Sequence, residues 1–305
     1  MPRSAEHSST LLTRRQALLW AATAPLLLTR TALAGGGAAT PEGGAADAEF
    51  SALEQSHHRR LGLYAIDTGS GKEIAWRADE RFAFCSTFKA VLAAAILARD
   101  AVKPGLLAQR ITYTQHDLAA NSPITKTHTD AGMTVAELCA AAIQYSDNTA
   151  ANLLLRLLGG PPGLTDYARG LGNKSFRLDR IETALNTSIP GDKRDTSTPA
   201  DMGRMLRALV LGDALPMPAR AQLKTWLLGN KTGDRRIRAA TPAGWQVGDK
   251  TGTGEYASAN DIGVIWPPGR PPIVLAIYTA SRDKNARADD SLIAQAAHIA
   301  INRLG

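Results

Sequence analysis

Short apolar runs typical of β-strands occur near both ends of the chain, and helical patterns fill the part between them. Two runs flank Gly69-Ser70-Gly71 and predict a hairpin. Three more follow from about Trp245, and the Pro- and Gly-rich segment 267–272 separates the last two. The pattern therefore predicts one five-stranded antiparallel sheet to which both ends of the chain contribute.

The central part of the chain, from Ser86 to about Leu227, has the pattern of helices. The first of them is apolar on nearly every side, which is typical of a buried central helix. Thr198-Pro199 supplies a cap and a first-turn proline for a later helix. Residues 177–195 are polar and show no periodicity, so we expect a long ordered loop, and such loops usually have a function.

These patterns together predict an α/β plus all-α fold class, with a last helix from about Asp289 to Leu304. Helices from both chain ends would flank the sheet, and the central helices would form an all-helical second domain. The predicted boundaries are a Gly- and Ala-rich flexible linker at 35–49, an α/β domain at 50–84 and 229–305, and an all-α domain at 85–228 that includes the loop 177–195.

Residues 1–34 have the composition of an export signal. The pair Arg14-Arg15 precedes an apolar stretch from Ala17 to Leu28, and the segment ends in small residues at Ala34. The arginine pair favours a twin-arginine-type signal peptide, and hence a periplasmic or secreted protein. The apolar stretch is too short to span a bilayer, which disfavours the alternative of an N-terminal membrane anchor.

Charge and composition exclude several classes of partner. Removal of residues 1–34 lowers the formal net charge from +7 to +4, and the remaining Lys and Arg are scattered, so no nucleic-acid partner is expected. The six histidines show no HxH or HExxH spacing, so no metal or other cofactor is expected. Cys85 and Cys139 lie in apolar helical settings, which favours two free thiols, although an exported protein could also pair them.

The triplet Lys-Thr-Gly occurs twice, and its context separates the two copies. Lys231 to Gly233 lies between a helix end and a basic turn, where Gly and Asn make a loop. Lys250 to Gly252 lies on a predicted strand. A strand holds side chains along a rigid sheet edge, so we expect chemistry from the second copy only.

At the start of the buried helix, Ser86 and Lys89 are three residues apart and share one helix face. The positive end of the helix dipole favours an oxyanion at this position and disfavours a protonated Lys89. A lysine with a lowered pKa can take the proton of a serine hydroxyl and make it nucleophilic. The alternative is that Ser86 only caps the helix and that Lys89 lies in solvent.

Two further groups of polar residues accompany this pair. Ser146-Asp147-Asn148 precedes an apolar helix and is either a helix cap or a hydroxyl relay followed by an amide that holds a substrate carbonyl and orients Lys89. Glu182 and Asn186 lie in the loop 177–195, where a single glutamate is most often merely solvated.

The order of these motifs resembles that of the class A serine β-lactamases, whose SxxK, SDN and KTG motifs all occur here. The resemblance covers residues 50 to 305 and includes the ExxLN segment that begins at Glu182. It implies an active site between the two domains. It also implies hydrolysis of the β-lactam ring of penicillins and cephalosporins through a serine acyl-enzyme, which confers antibiotic resistance. The implied partner is a small β-lactam substrate, and the processed protein is expected to be a monomer without membrane attachment.

The resemblance also implies the catalytic roles. Ser86 would attack the lactam carbonyl, and the backbone N–H groups of Ser86 and Thr253 would bind the oxyanion. Glu182, assisted by Asn186, would activate the water that hydrolyses the acyl-enzyme. The base for acylation is Lys89 or Glu182, a choice that the sequence leaves open.

Ser146 would pass a proton to the leaving nitrogen. An ion pair between Arg180 and Asp195 would hold the neck of the loop. The implied substrate-binding residues are Asn148, Lys250, Thr251, Gly252, Thr253 and Arg236.

The sequence departs from many relatives at three places. Ala259 stands where many members have an arginine for the substrate carboxylate, and Arg236 is the expected replacement. Asn121 stands where an aromatic residue often walls the site. Cys85 precedes the nucleophile as in the branch with a disulfide at this position, but Gly254 occupies the partner position, so that disulfide cannot form.

Two other classes share part of this pattern. A penicillin-binding DD-peptidase is acylated by the same compounds, and a β-lactam sensor domain stays acylated. Glu182 favours the hydrolase, because rapid deacylation by water needs a positioned base. A sensor would normally be tethered to a membrane, whereas no apolar stretch of spanning length follows residue 34.

Overall fold

The computed structural model describes residues 41–305, so the predicted signal peptide at 1–34 lies outside the described residues. The strands, in chain order, are β1 (Arg60–Asp67), β2 (Glu73–Trp76), β3 (Phe82–Ala83), β4 (Arg110–Ile111), β5 (Met133–Thr134), β6 (Thr196–Ser197), β7 (Gln246–Thr253), β8 (Ala259–Trp266) and β9 (Ile273–Ala280).

Five of these strands form one antiparallel sheet in the order β2-β1-β9-β8-β7. The predicted sheet, with its early hairpin and its three late strands, is therefore confirmed. β1 pairs with β9 along its whole length, from Arg60 opposite Ala280 to Asp67 opposite Ile273. The first strand of the chain thus lies between its hairpin partner and the last strand. The short strands pair separately, β3 with β6 and β4 with β5.

Helices occupy most of the chain between β3 and β7, as predicted. The helices of residues 41–305, in chain order, are α1 (Pro41–His57), α2 (Phe88–Val102), α3 (Val135–Gln144), α4 (Asn148–Leu157), α5 (Pro161–Gly170), α6 (Pro199–Val210), α7 (Met217–Leu228), α8 (Ile237–Ala240) and α9 (Asp290–Leu304); α1 precedes the sheet and α9 follows it. Thr198 caps α6 by accepting a hydrogen bond from Asp201 N, as its sequence context predicts. No helix within residues 41–305 combines the length and the apolar character needed to cross a membrane.

The first helix begins earlier than predicted. Residues 41–49 were expected to belong to a flexible linker, but α1 starts at Pro41. The glycines of this segment suggested a coil, whereas Ala46 and Phe50 are buried in the same apolar cluster as residues of α9. Packing against a distant helix therefore outweighs the low helix propensity of the glycines.

The sheet separates two apolar clusters because alternate residues of its strands point to opposite faces. In β1, Leu61 and Leu63 join the cluster under α1 and α9, whereas Tyr64 and Ile66 join the larger cluster around α2. Residues 88–97 of α2 are all buried, which confirms the predicted central helix. The division into an α/β domain and an all-α domain stays a prediction.

Candidate active site

The predicted nucleophile lies in a turn that leads directly into α2. Residues Cys85–Thr87 form a 3-10 turn, and Cys85 has a positive φ of 47°. Ser86 Oγ donates a hydrogen bond to Glu182 Oε1 at 3.0 Å. The N-cap of α2 is Thr87, and its side chain makes no capping hydrogen bond, so the alternative that Ser86 only caps this helix is wrong.

Lys89 is completely buried beside Ser86. Its Nζ lies 2.9 Å from Glu182 Oε1, the same oxygen that accepts the Ser86 hydrogen bond. It also donates to Asn148 Oδ1 at 2.6 Å and to the Ser146 carbonyl at 2.8 Å. Burial lowers the pKa of Lys89, and the charge of Glu182 opposes this shift only in part. The predicted lowering of the Lys89 pKa is confirmed, and burial is its main cause. The alternative that Lys89 lies in solvent is wrong.

Within the Ser-Asp-Asn triplet, Asp147 stabilises the local fold, whereas Ser146 contacts the lysines of the site. Asp147 caps α4 by accepting from Ala150 N, and it also accepts from Thr125 N at 2.9 Å. Ser146 adopts a positive φ of 56°, and its hydroxyl lies 3.0 Å from Lys250 Nζ and 3.4 Å from Lys89 Nζ. One hydroxyl thus connects two buried amines.

Lys250 projects from β7 into the same group. Its Nζ donates to the Thr251 carbonyl at 2.7 Å as well as to Ser146 Oγ. Burial, followed by the positive charge of Lys89, lowers the pKa of Lys250 well below its ordinary value. A negatively charged ligand beside Lys250 would favour its protonated form, so the binding of an anion and the protonation of this amine support each other.

Gly252 lets β7 approach the Ser86 turn closely. A Cβ at this position would lie 2.7 Å from the Phe84 carbonyl oxygen and 3.1 Å from Ser86 N. Any larger residue would push the strand and the turn apart. The family resemblance implies that Gly252 binds substrate; in the structure its contribution is this close packing.

Glu182, in the loop 177–195, is held in place by three hydrogen bonds with asparagine side chains. Asn186 Nδ2 donates to Glu182 Oε2 at 2.5 Å. Asn152, in the middle of α4, donates to the Glu182 carbonyl and accepts from the Glu182 N–H, both at 2.9 Å. The ion pair of Arg180 Nε with Asp195 Oδ2, at 2.6 Å, is present at the neck of the loop as expected. These contacts fix Glu182, which is only 4% exposed, against Ser86.

Asn152 was missed from the sequence. In a sequence, an asparagine within an apolar helix is usually interpreted as a solvent-exposed residue, but Asn152 is buried. Its position four residues after Asn148 places both side chains on one face of α4. This spacing from a predicted site residue is the sequence feature that could have indicated a role for Asn152.

Arg236 lies just before α8 and reaches the end of β7. Its guanidinium donates to Thr253 Oγ1 and to the Gly252 carbonyl, both at 2.8 Å, and to Asp290 Oδ1 at 2.8 Å. Ala259 is buried in β8 beside this group. The structure thus places Arg236 against the strand that carries Lys250, as the proposed replacement for an arginine at 259 requires.

The first Lys-Thr-Gly triplet lies in the loop after α7, as predicted, but it also contacts the second triplet. Thr232 Oγ1 is 2.6 Å from Thr251 Oγ1 of the second triplet. Asn230 Nδ2 donates to the buried Asp249 at 2.7 Å. The loop therefore supports the strand that carries Lys250, a contact that the sequence pattern did not predict.

Cys85 and Cys139 are both buried and free, as expected. A Cβ on Gly254 would lie 2.8 Å from Cys85 Sγ, so glycine leaves this thiol without a disulfide partner at that position. Asn121 has a positive φ of 57°, and its carbonyl accepts from Asn148 N. Among residues 41–305 no cluster of three or more His, Cys, Asp or Glu is arranged to hold a metal ion.

Both thiols should resist modification in the folded protein. Burial raises the pKa of Cys85 to about 12 and raises that of Cys139 as well, so little thiolate is present at neutral pH. Titration with a chromogenic disulfide reagent should detect no thiol in buffer and two in denaturant. Rapid labelling of the native protein would contradict the buried, unpaired state of these cysteines.

Comparison with known proteins agrees with this geometry. The profile of the "Beta-lactamase enzyme family" matches residues 45–304. The chain is 54% identical over 257 residues to "Carbapenem-hydrolyzing beta-lactamase KPC" of Klebsiella oxytoca, covering 84% of this chain and 88% of that protein. It is 52% identical to a "Beta-lactamase" of Amycolatopsis lactamdurans, covering 88% and 89%. A crystal structure of a β-lactamase from Desulfarculus baarsii matches with a TM-score of 0.85 and 56% identity, covering 86% of this chain and 98% of that one.

The chain therefore belongs to the β-lactamase enzyme family. It is a class A-type serine β-lactamase, a hydrolase of the β-lactam amide bond, as the sequence motifs predict.

Proposed function

We propose that Ser86 opens the β-lactam ring and that Glu182 then directs water to release the product. One observation carries this proposal: Ser86 Oγ and Lys89 Nζ both lie within 3.0 Å of a single oxygen of the buried Glu182. A nucleophile, a low-pKa amine and a carboxylate base are thus in hydrogen-bond contact.

In the acylation step, Ser86 Oγ attacks the lactam carbonyl and gives its proton to the Lys89–Glu182 pair. The ring C–N bond then breaks. Ser146, whose hydroxyl lies 3.0 Å from Lys250 Nζ and 3.4 Å from Lys89 Nζ, passes a proton to the leaving nitrogen. Its contact with both amines supports a relay role, since a proton donated by the hydroxyl can be replaced from either side.

In the deacylation step, Glu182 takes a proton from a water molecule that attacks the ester carbonyl of Ser86. Asn186 and Asn152 support this role because they hold the carboxylate and the backbone of Glu182 in place. A positioned base of this kind typically accelerates proton transfer about 10² to 10⁴-fold. This feature favours a hydrolase over a DD-peptidase or a sensor domain.

Substrate binding would use the edge of β7. Lys250, Thr251, Thr253 and Arg236 offer two charges and two hydroxyls to the carboxylate of a β-lactam, and Asn148 offers its amide to the substrate side chain. We restrict the proposal to penicillins and cephalosporins. One relative is named as carbapenem-hydrolysing, but Cys85 here has no disulfide partner at Gly254.

We also propose that the protein is exported to the periplasm or secreted by the twin-arginine route and acts as a monomer. Arg14-Arg15 and the apolar stretch after it support export. The role would be resistance to β-lactam antibiotics.

The function is tested by mixing the purified processed protein with excess benzylpenicillin and following the loss of β-lactam absorbance. We expect many equivalents to be hydrolysed per enzyme molecule. Consumption of one equivalent followed by arrest would assign the protein to the penicillin-binding or sensor class instead.

Replacing Lys250 with methionine should raise the free energy of unfolding by about 1 kcal/mol while lowering activity. Lys250 is fully buried and has no ion-pair partner among residues 41–305, so methionine removes a poorly compensated charge. Urea unfolding followed by circular dichroism measures the change. A lower unfolding midpoint for the variant would contradict this view of Lys250.

The difference in the free energy of unfolding between Lys250→Met and the wild type should depend on pH. Because the folded-state pKa of Lys250 lies below its ordinary 10.5, the unfolded chain binds more protons, and wild-type stability from this group rises with pH up to that value. The advantage of Lys250→Met should therefore shrink as pH rises towards 10.5. If the stability advantage of Lys250→Met grew as pH rises, the pKa of Lys250 in the folded protein would not be lowered, and the prediction would be wrong.

A further inference from the structure

A cavity of about 940 Å³ lies beside the loop that carries Glu182, apart from the site described above. Its walls are residues 188–194 of that loop, the segments 58–60 and 80–83, and residues 280–283. Neither Ser86, Lys89 nor Glu182 lines it. Its volume lies within the range of about 300 to 1,000 Å³ that is usual for small-molecule sites.

The cavity is strongly basic. Seven Lys and Arg side chains line it against three carboxylates. Three of the cations have carboxylate partners within 2.7 Å, namely Arg60 with Glu80, Arg180 with Asp195 and Arg194 with Asp192. Four cations have no ion-pair partner among residues 41–305, and Asp283 is the one lining carboxylate left to offset them; these four are Arg59, Arg81, Lys193 and Arg282.

Two of these cations, Arg59 and Arg81, donate hydrogen bonds only to uncharged oxygens, which leaves their positive charge without a carboxylate partner within residues 41–305. Arg59 Nε is a buried donor without a hydrogen-bond partner, a state that native proteins usually avoid. Burial and the charges of Arg177 and Arg169 lower the pKa of Arg81. Unpaired guanidinium groups in a concave site are suited to phosphate oxygens, which they can bind in a bidentate manner.

The cavity also has an apolar wall. Ile189 is 46% exposed although it is a large aliphatic residue, and Pro190 follows it in the lining. Phe82 also belongs to the lining, and the Arg60 guanidinium lies 3.8 Å from its ring centroid. A ligand with only charges would leave the exposed side chain of Ile189 in water.

We propose that this cavity binds a small organic diphosphate whose phosphates contact the four unpaired cations and whose body packs against Ile189 and Pro190. A diphosphate ester carries a negative charge comparable to the excess positive charge of the lining. The proposal concerns binding alone and does not depend on the chemistry of Ser86.

Calorimetric titration tests it, with ADP as the probe, adenosine as its uncharged counterpart, and a buffer of physiological ionic strength free of phosphate. We expect one saturable site for ADP and none for adenosine. The double variant Lys193→Gln/Arg282→Gln should weaken ADP binding about tenfold for each cation removed. Both side chains are exposed and unpaired, so its unfolding midpoint without ligand should match that of the wild type.

The matched control is Lys103→Gln/Arg207→Gln, which removes the same charge from exposed residues outside the cavity. It should bind ADP as the wild type does. Both double variants keep Lys89, Lys250 and Arg236, so a loss confined to the first variant places the ligand in the cavity and away from Ser86. Absence of ADP binding, or equal weakening in both variants, would overturn the proposal.

Discussion

Replacing Glu182 with glutamine should lower the steady-state rate of penicillin hydrolysis about 10³-fold. Glutamine keeps the size of the side chain but cannot accept a proton from water. Acylation should continue, because Lys89 loses the carboxylate that raises its pKa, and a neutral amine can still activate Ser86. A pre-steady-state burst of one equivalent followed by slow turnover is the expected trace.

Glu255→Gln is the control for this substitution. Its carboxylate is 46% exposed and lies 3.6 Å from Lys284, and its loss should leave turnover within about twofold of wild type. A Glu182→Gln variant with wild-type turnover would show that deacylation uses another base. A variant without a burst would show that Glu182 is essential for acylation as well.

Replacing Lys89 with methionine should destabilise the fold by about 3 to 5 kcal/mol. The reason is that Glu182 would remain as a buried carboxylate without its cation, whose Nζ lies 2.9 Å away in the wild type. Acylation should also fail, since the amine is lost. Urea unfolding and the rate of penicillin consumption measure the two effects.

The double variant Lys89→Met/Glu182→Gln should recover much of the lost stability, because the carboxylate that would lose its cation is then absent as well. Lys250→Met provides a second comparison: the same change at a lysine without a carboxylate partner should act in the opposite direction. If Lys89→Met were as stable as the wild type, the ion pair with Glu182 would not be a structural element of the site.

The sequence predicts the parts of the fold that repeat a local pattern. The hairpin around Gly69–Gly71, the late strands and the buried helix α2 each follow from the spacing of apolar residues, and all three are present. The start of α1 was misplaced because its stability comes from contact with α9, about 250 residues away in the chain. A window of neighbouring residues does not contain that contact.

The candidate site follows the same rule. Ser86 and Lys89 are neighbours on one turn, so their proximity can be read from the sequence. The approach of Glu182 to Ser86, from a loop 96 residues further on, could be expected only through the order of the motifs in a known family. Asn152 belongs to no such motif, and the triplet that contains Thr232 was expected to form only a loop. Their contacts with Glu182 and Thr251 are visible only in the structure.

The central claim is that water, activated by Glu182, frees an ester formed on Ser86. Intact-mass spectrometry of Glu182→Gln, quenched shortly after mixing with benzylpenicillin, tests it most directly. We predict one added substrate mass, located on the peptide that contains Ser86 and absent from both the wild type at steady state and the Ser86→Ala/Glu182→Gln double variant. An unmodified Ser86 in Glu182→Gln, together with continued hydrolysis, would contradict the claim.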